Sequence, residues 1–465
     1  MDSKADWENL SNMVHKALNF LDRKDISYAE AFFTSTRTTE VTIRNSEIFA
    51  QNRADDSGVG FRVVAPGNKV GFACTNSTNE KAVIEAGVQA MSLARLSSEV
   101  PNFALPEARR LPEVRGMFDS DLAVAKVDEA VDLARRAIES AEGFDERVIA
   151  KHGLVVFESG WRGVANTSGV DHVERETRAV IYLGASGEQD GEVTSSCYDV
   201  AFSRSLDLEP EQVGESAARR ATELFKPRKL KTFKGSVIFG PEAVSSQIFT
   251  VLMNALKGEN VVTAASPWAG KVGQVVASDS LTVNDNAVLE NGFSSRRFDD
   301  EGYPSQKSVL IQNGNLLSFL HDATSAHALA TENTGNASRS HGGFDMVSSI
   351  IGNGYRTRPE VYASNLVVQA GNRTRDELVS EIRKGVLAES LAGFPQAGSG
   401  VVSAQLSRAF FISNGETQFP IKGGMVSGVA YDWLNQISGV GNDVKRYQNA
   451  IVPSITVEEV QLVGA

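Results

Sequence analysis

The densest group of side chains able to do chemistry lies in the stretch FDDEG, residues 298–302, where Asp299, Asp300 and Glu301 follow one another. Three adjacent carboxylates can hold a metal or act as general bases. The competing reading is a polar turn closed by Gly302. Six histidines occur, His15, His152, His172, His321, His327 and His341. None belongs to His-Glu-x-x-His, the spacing that sets two imidazoles on one helix face around a base. His321 and His327 fall about 240° apart on a helix of 3.6 residues per turn, so they diverge, and structural roles account for the histidines. Cys74 and Cys197 are too far apart for a Cys-x-x-Cys site and too few for a disulfide framework. No Gly-x-Ser-x-Gly elbow and no Walker loop is present. The glycine cluster GSGVVS from Gly398 reads as a turn. NDNAVLENG, from Asn284, departs from a calcium loop at Val288 and lacks the glycine its sixth position needs. A zinc site built within this chain is therefore not expected.

The elements around these residues alternate between helix and strand textures. Leu10, Val14, Ala17, Leu18 and Leu21 recur at helical spacing. From Ser27 to Cys74, β-branched and aromatic runs separated by Gly, Asn and Asp turns predict a meander of short strands. Val83, Ala86, Ala90 and Ala94 mark a helix with a small-residue face. Pro101, Pro106 and Pro112 make residues 97–118 an extended excursion within one lobe. Val127, Val131, Ala134 and Ile138 give another helix, strands follow at about 148–186, and Pro210 opens a helix bearing Val213, Ala217, Ala221 and Leu224. KPRKLKTFKG reads as a linker, which places the domain boundary near Thr232: residues 1–231 form one domain and 232–465 the other. In the second, IFTVLMNALKGEN (residues 248–260) reads as a helix. Asn313-Gly314 signals a hairpin. Thr374 and Glu377 form a capping box, with Leu378, Ile382 and Val386 along the helix face. The fold class is α+β, with an N-terminal mixed α/β lobe and a strand-rich, barrel-like C-terminal lobe.

Bulk properties narrow the function classes. The 465 residues carry a net charge of -12 and no dense Lys/Arg run, which leaves no electrostatic basis for nucleic-acid binding. The first twenty residues lack a signal-peptide pattern, and no window approaches the ~18 apolar residues of a membrane helix. A soluble cytoplasmic protein is expected.

Long motifs in the second half carry a resemblance. RRFDDEGYPSQKSVLIQNGNLLSFLHD, TENTGNASR, SNLVVQAGNRTRDELVSEIRKGVL, and FFISNGETQFPIKGGMVSG followed by ISGVGND resemble the TldD/PmbA family, as does the earlier GVGFRVV run. The resemblance covers nearly the whole chain. It implies either a zinc metallopeptidase that cuts peptides inside a closed cavity or its partner subunit, the branch called PmbA or TldE. In catalytic members a His-Glu-x-x-x-His stretch runs into Leu-x-Gly-acid. Here LKGE supplies the tail, and counting back puts Phe249, Thr250 and Asn254 where the first histidine, the glutamate and the second histidine would stand. A phenyl ring cannot ligate zinc, a carboxamide is a poor ligand beside imidazole, and a threonine is no general base. The late cysteine ligand is missing too, since no cysteine follows Cys197.

The resemblance thus implies a metal-free, non-catalytic PmbA-type subunit that walls part of a peptide-holding cavity, with zinc supplied by a TldD-type partner. Self-association is the alternative assembly, and unfolded or extended peptides are the expected cargo. Candidate cavity residues are Asn254, Glu259, Asp299, Asp300, Glu301, Asn336 and His341. Two other readings stay open at this point. One is a stand-alone homodimeric hydrolase working through Asp299, Asp300, Glu301 and His321. The other is a regulatory protein-binding module, which the family's older association with DNA gyrase suggests.

Overall fold

The computed structural model describes residues 3–339 and 354–464. Helix α1 (Ser3–Asp22) leads into strands β1 (Tyr28–Arg44), β2 (Glu47–Ala65) and β3 (Lys69–Thr75), then helix α2 (Glu80–Leu96). After the excursion come α3 (Val127–Phe144), β4 (Val148–Asn166), β5 (Asp171–Gln189), β6 (Cys197–Ser203) and α4 (Pro210–Thr222). The runs expected as separate short strands are continuous: β1 and β2 pair in antiparallel register along their length, and β4 and β5 do the same. The polar residues between the apolar runs keep the two-residue alternation and do not interrupt pairing. One twisted sheet results, in the order β3-β2-β1-β4-β5, with β6 also on β5.

That alternation gives the sheet two unlike faces. On one, Phe33, Val59, Phe61 and Val63 pack under α1 and α2. Further along the same face, Val41, Ile43, Phe157 and Ile181 pack under α3 and α4. Small residues set the distances here. A Cβ at Gly71 would lie 2.1 Å from the Ala90 carbonyl oxygen, so α2 rests directly on strand backbone, and Gly214 does the same for α4 against Ala137. The other face carries Glu30, Arg62, Arg162, Glu174 and Glu176, all buried. Charges buried in number need partners. Glu30 pairs with Arg62, Arg162 with Glu174, and Glu176 with Arg178 and Arg204. Glu30, Arg62, Arg162 and Glu174 also reach groups in the second half of the chain.

That half holds a closed five-strand ring. Strand β7 (Phe233–Phe239) pairs in parallel with β8 (Lys384–Ala392), followed around the ring by β9 (Val401–Ser413), β10 (Met425–Val429) and β11 (Ile455–Val463), which returns to β7. The barrel-like expectation is met. A six-stranded sheet beside it includes the hairpin at Asn313-Gly314, both residues with positive φ. The capping box at Thr374 and Glu377 forms. Its helix, Arg375–Ser380, is shorter than the apolar spacing suggests, and Val386 lies in β8, where it packs in the barrel core. The stretch read as a linker is partly strand, since Arg228 and Lys229 pair with Ile421 and Lys422.

The proline-rich excursion forms no helix or strand over residues 100–118, and it is more than a connection within one lobe. Asn166 donates to the Pro106 carbonyl at 3.0 Å on one side. On the other, Arg297 donates to the Pro112 carbonyl at 3.3 Å and Arg109 donates to the Tyr303 hydroxyl at 2.8 Å. Extended backbone with free carbonyls suits such strapping, because proline removes donors and leaves acceptors.

Candidate functional site

The expected helix at residues 248–260 is built in three parts. Val244–Ile248 is a π-helical turn, Phe249–Leu256 is regular α-helix (α5), and Lys257 adopts extended backbone before a last turn at Gly258–Val262. The break has a packing cause: Gly258 N–H donates to the Leu320 carbonyl at 2.7 Å, and a Cβ there would meet the His321 ring at 2.3 Å. Val251, Leu252, Ala255 and Leu256 of α5 enter the barrel-side core. Its other face borders a cavity of about 600 Å³.

Phe249, Thr250 and Asn254 all line that cavity. Phe249 is 9% exposed and packs edge-on against Tyr362. Thr250 donates its hydroxyl back to the Ser246 carbonyl at 2.9 Å. The Asn254 amide is held between Tyr431, whose hydroxyl lies 3.3 Å from Nδ2, and Asn260, which donates to Oδ1 at 3.1 Å. The remaining wall includes Tyr198 and Phe202 of β6, Glu242, Lys257, Phe394 and Tyr447. Sequence reading missed these residues. The signal available was the alternation in CYDVAFS, which puts Tyr198, Val200 and Phe202 on one strand face; nothing local marks Glu242 or Tyr447, which converge only in the fold.

Glu242 is the chemically distinctive member. Burial pushes its carboxyl up to about 7, against the pull of Arg408 and Arg220, and it hydrogen-bonds the Tyr198 phenol. Burial likewise pushes the Tyr362 phenol up to about 12 and raises those of Tyr198 and Tyr447, so the wall's phenols stay protonated. A carboxyl with a raised folded pKa stabilises the fold below its ordinary range and loses that contribution as pH rises toward 7. Glu242→Gln should therefore be progressively more stable than the wild-type chain between about pH 4.5 and 7, by up to roughly 3 kcal/mol. Denaturant midpoints across that window check this; parallel pH profiles would contradict it.

The other sequence-selected residues lie elsewhere. Asp299, Asp300, Glu301 and Asn336, expected on a cavity wall, are buried at the seam between the first sheet and the second half. Every carboxylate oxygen there is engaged. Asp299 accepts the Tyr303 and Ala337 amides at 2.8 and 3.1 Å. Asp300 accepts Arg162 and the Arg339 amide, the latter at 2.5 Å. Glu301 accepts Arg62 at 2.8 Å and the Ala323 amide at 3.0 Å. Asn336 donates to Asp285 at 2.7 Å and accepts from Thr334. Burial pushes the Asp299 and Glu301 carboxyls upward, opposed by Arg296 and Arg62 respectively. His321 is buried, its pKa pushed down to about 4 by burial, with Nδ1 3.3 Å from the Ser325 hydroxyl. These groups are saturated by protein partners and enclosed at the seam. Glu259 is half-buried and pairs with Lys257 at 3.3 Å. His341 lies outside the described residues.

Among the described residues no three His, Cys, Asp or Glu side chains are grouped to hold a metal. Cys197, on the strand beside the cavity, has its thiol pushed up to about 12 by burial.

Comparison with known proteins places this geometry. The PmbA/TldA metallopeptidase C-terminal domain matches residues 232–464, half of the chain; domain 1 of the same family matches 29–94 and its central domain 121–225. The chain is 27% identical to Metalloprotease PmbA of Escherichia coli O157:H7, covering 99% of this chain and 97% of that protein. It is 23% identical to the Metalloprotease TldD homolog of Buchnera aphidicola, covering 93% and 89%. The crystal structure of TldE from Thermococcus kodakarensis superposes with a TM-score of 0.87 at 26% identity, covering 97% of this chain and all of that one.

Proposed function

The chain belongs to the PmbA/TldA metallopeptidase family, and we propose that within it this protein is a metal-free, PmbA/TldE-type subunit that holds peptide for a zinc-bearing partner. The observation carrying this reading is the face of α5. Phe249, Thr250 and Asn254, which counting back from LKGE sets at the positions of the family's catalytic motif, border a cavity, and none offers a metal ligand of useful strength. The wall around them is aromatic and largely apolar, with Lys257 and Glu242 as its charged members. Such a surface takes up extended, unfolded chain by burying side chains, while phenols, amides and strand edges offer hydrogen bonds to the peptide backbone. Bond cleavage is left to the partner, a TldD-type zinc peptidase; assembly with a second copy of this chain is the alternative. The site of action is the cytoplasm. No helix among the described residues is long and apolar enough to cross a membrane.

Mixing tests this reading. The purified chain alone should leave an unfolded peptide intact, and adding a TldD-type partner should produce cleavage that a chelator abolishes. Robust cleavage by this chain alone, insensitive to chelator, would overturn it.

A further inference from the structure

A second, smaller cavity lies between the two helical layers that cover one face of the first sheet. The layers α1/α2 and α3/α4 leave a strip of that face uncovered, and the register sets Ser57, Ser35, Trp161 and Arg175 in one row across β2, β1, β4 and β5. The row lines a slot of about 240 Å³. Trp161 is fixed by stacking on Trp7 at 5.7 Å, and the Arg175 guanidinium lies 4.0 Å from the Phe118 ring centre and 5.4 Å from that of Trp161.

Two donors in this slot stand out. The Trp161 Nε1–H and the Arg175 Nε–H are both buried, and neither has a hydrogen-bond partner among the described residues. An acceptor entering the slot would satisfy both. The Ser35 and Ser57 hydroxyls, 2.9 Å apart, stand beside them. Burial lowers the Arg175 pKa. The slot is also lined by Arg37, which already pairs with Asp55 at 2.7 Å, and by Asp6.

We propose that this slot is a binding site for a small monocarboxylate, held by the Arg175 and Trp161 donors and the paired serines. A guanidinium presents two parallel N–H groups that fit the plane of a carboxylate, and an indole N–H adds a third. Arg37 is already paired with Asp55, so Arg175 is the remaining cation of the slot lining, and one negative charge on the ligand neutralises it; a dianion such as phosphate would bring a second charge beside Asp6 and Asp55. The slot shares no lining residue with the cavity beside α5, and the inference is independent of the proposed peptide-holding role.

The test uses the full chain with its tryptophan indoles labelled with nitrogen-15. Trp161→Phe identifies one of the four indole N–H signals. Acetate added at fixed pH should move that signal saturably, whereas sodium chloride at equal ionic strength should not. Arg175→Met, which keeps the stacked volume beside Phe118, should weaken acetate binding about tenfold or more, the loss expected for hydrogen bonds to a charged group. Arg175→Lys should recover only part of it. An unmoved signal, an equal response to chloride, a response to phosphate alone, or unchanged binding in a folded Arg175→Met would each overturn the site. Trp161→Phe keeps an aromatic ring against Trp7, and once it has assigned the signal the comparison of acetate with chloride on the wild-type chain decides even if Arg175→Met does not fold.

Discussion

Replacing Arg62 with methionine is expected to cost about 3–5 kcal/mol of stability, the range seen when one partner of a buried ion pair is removed. The Arg62 guanidinium lies 2.6 Å from Glu30 and 2.8 Å from Glu301, and both carboxylates are fully buried. Glu30 is on β1 and Glu301 in the FDDEG loop, so this one side chain ties the charged face of the first sheet to the second half of the chain. Methionine keeps most of the stem volume, and the loss should therefore come from two carboxylates left in a dry seam, not from an empty space. Arg339 would still reach Glu30, but Glu301 would keep only the Ala323 amide. The sign of the pH dependence follows. With the cation gone, the opposing pull on Glu301 is lost and burial raises its carboxyl further, so the variant's deficit should be small in acid and grow as pH rises past the ordinary carboxylate range. Arg37→Met provides the control. Its partner Asp55 is exposed, and an exposed pair contributes less than about 1 kcal/mol. Denaturant midpoints for the two variants measure the difference; equal shifts would contradict the assignment of Arg62 to a buried clasp.

The second large effect concerns restoration of the motif. Phe249→His, Thr250→Glu and Asn254→His together would reproduce the family's helix sequence, and the triple variant is expected to remain without peptidase activity. Three structural reasons lead there. Positions 249 and 254 lie in regular α-helix, where five residues turn through about 500°, so imidazoles placed there diverge by about 140°. The π-helical turn, whose wider spacing brings residues five apart onto one face, ends at Ile248, just before them. The third ligand is missing, and ligand count and supporting hydrogen bonds decide whether a site holds metal. Stability should also fall. Phe249 is buried against Tyr362, and histidine fills only part of its volume while adding nitrogens that need partners; the loss should be up to about 3 kcal/mol, below that of truncation to alanine. Calorimetry and zinc titration on the triple variant check both points. Unchanged stability together with tight zinc binding would mean that the helix is a preformed site.

The helices and strands of the first half were legible because their periods are clean: Val83 to Ala94 and Val127 to Ile138 keep one apolar face, and the strands alternate. Their lengths were not, because Asn, Asp and Gly look like turns in isolation while Asp55 and Gly58 sit within paired β2. The FDDEG cluster was legible as a cluster and misread as a wall. Its role depends on Arg62, Arg162 and Arg339, which come from 239, 138 and 39 residues away along the chain and leave no local trace. Phe249, Thr250 and Asn254 were singled out by alignment to a motif, and the structure sets all three beside one cavity. Lys257 shows a limit of pattern reading, since LKGE continues the helical composition while Gly258 breaks the helix to pass close to His321.

The central claim is that this chain supplies peptide-holding surface and no metal chemistry. Zinc content tests it most directly, measured by elemental analysis on chain purified without metal-affinity resin and compared with protein concentration from amino-acid analysis. The account predicts no stoichiometric zinc. One zinc per chain, retained through dialysis against a weak chelator, would contradict it.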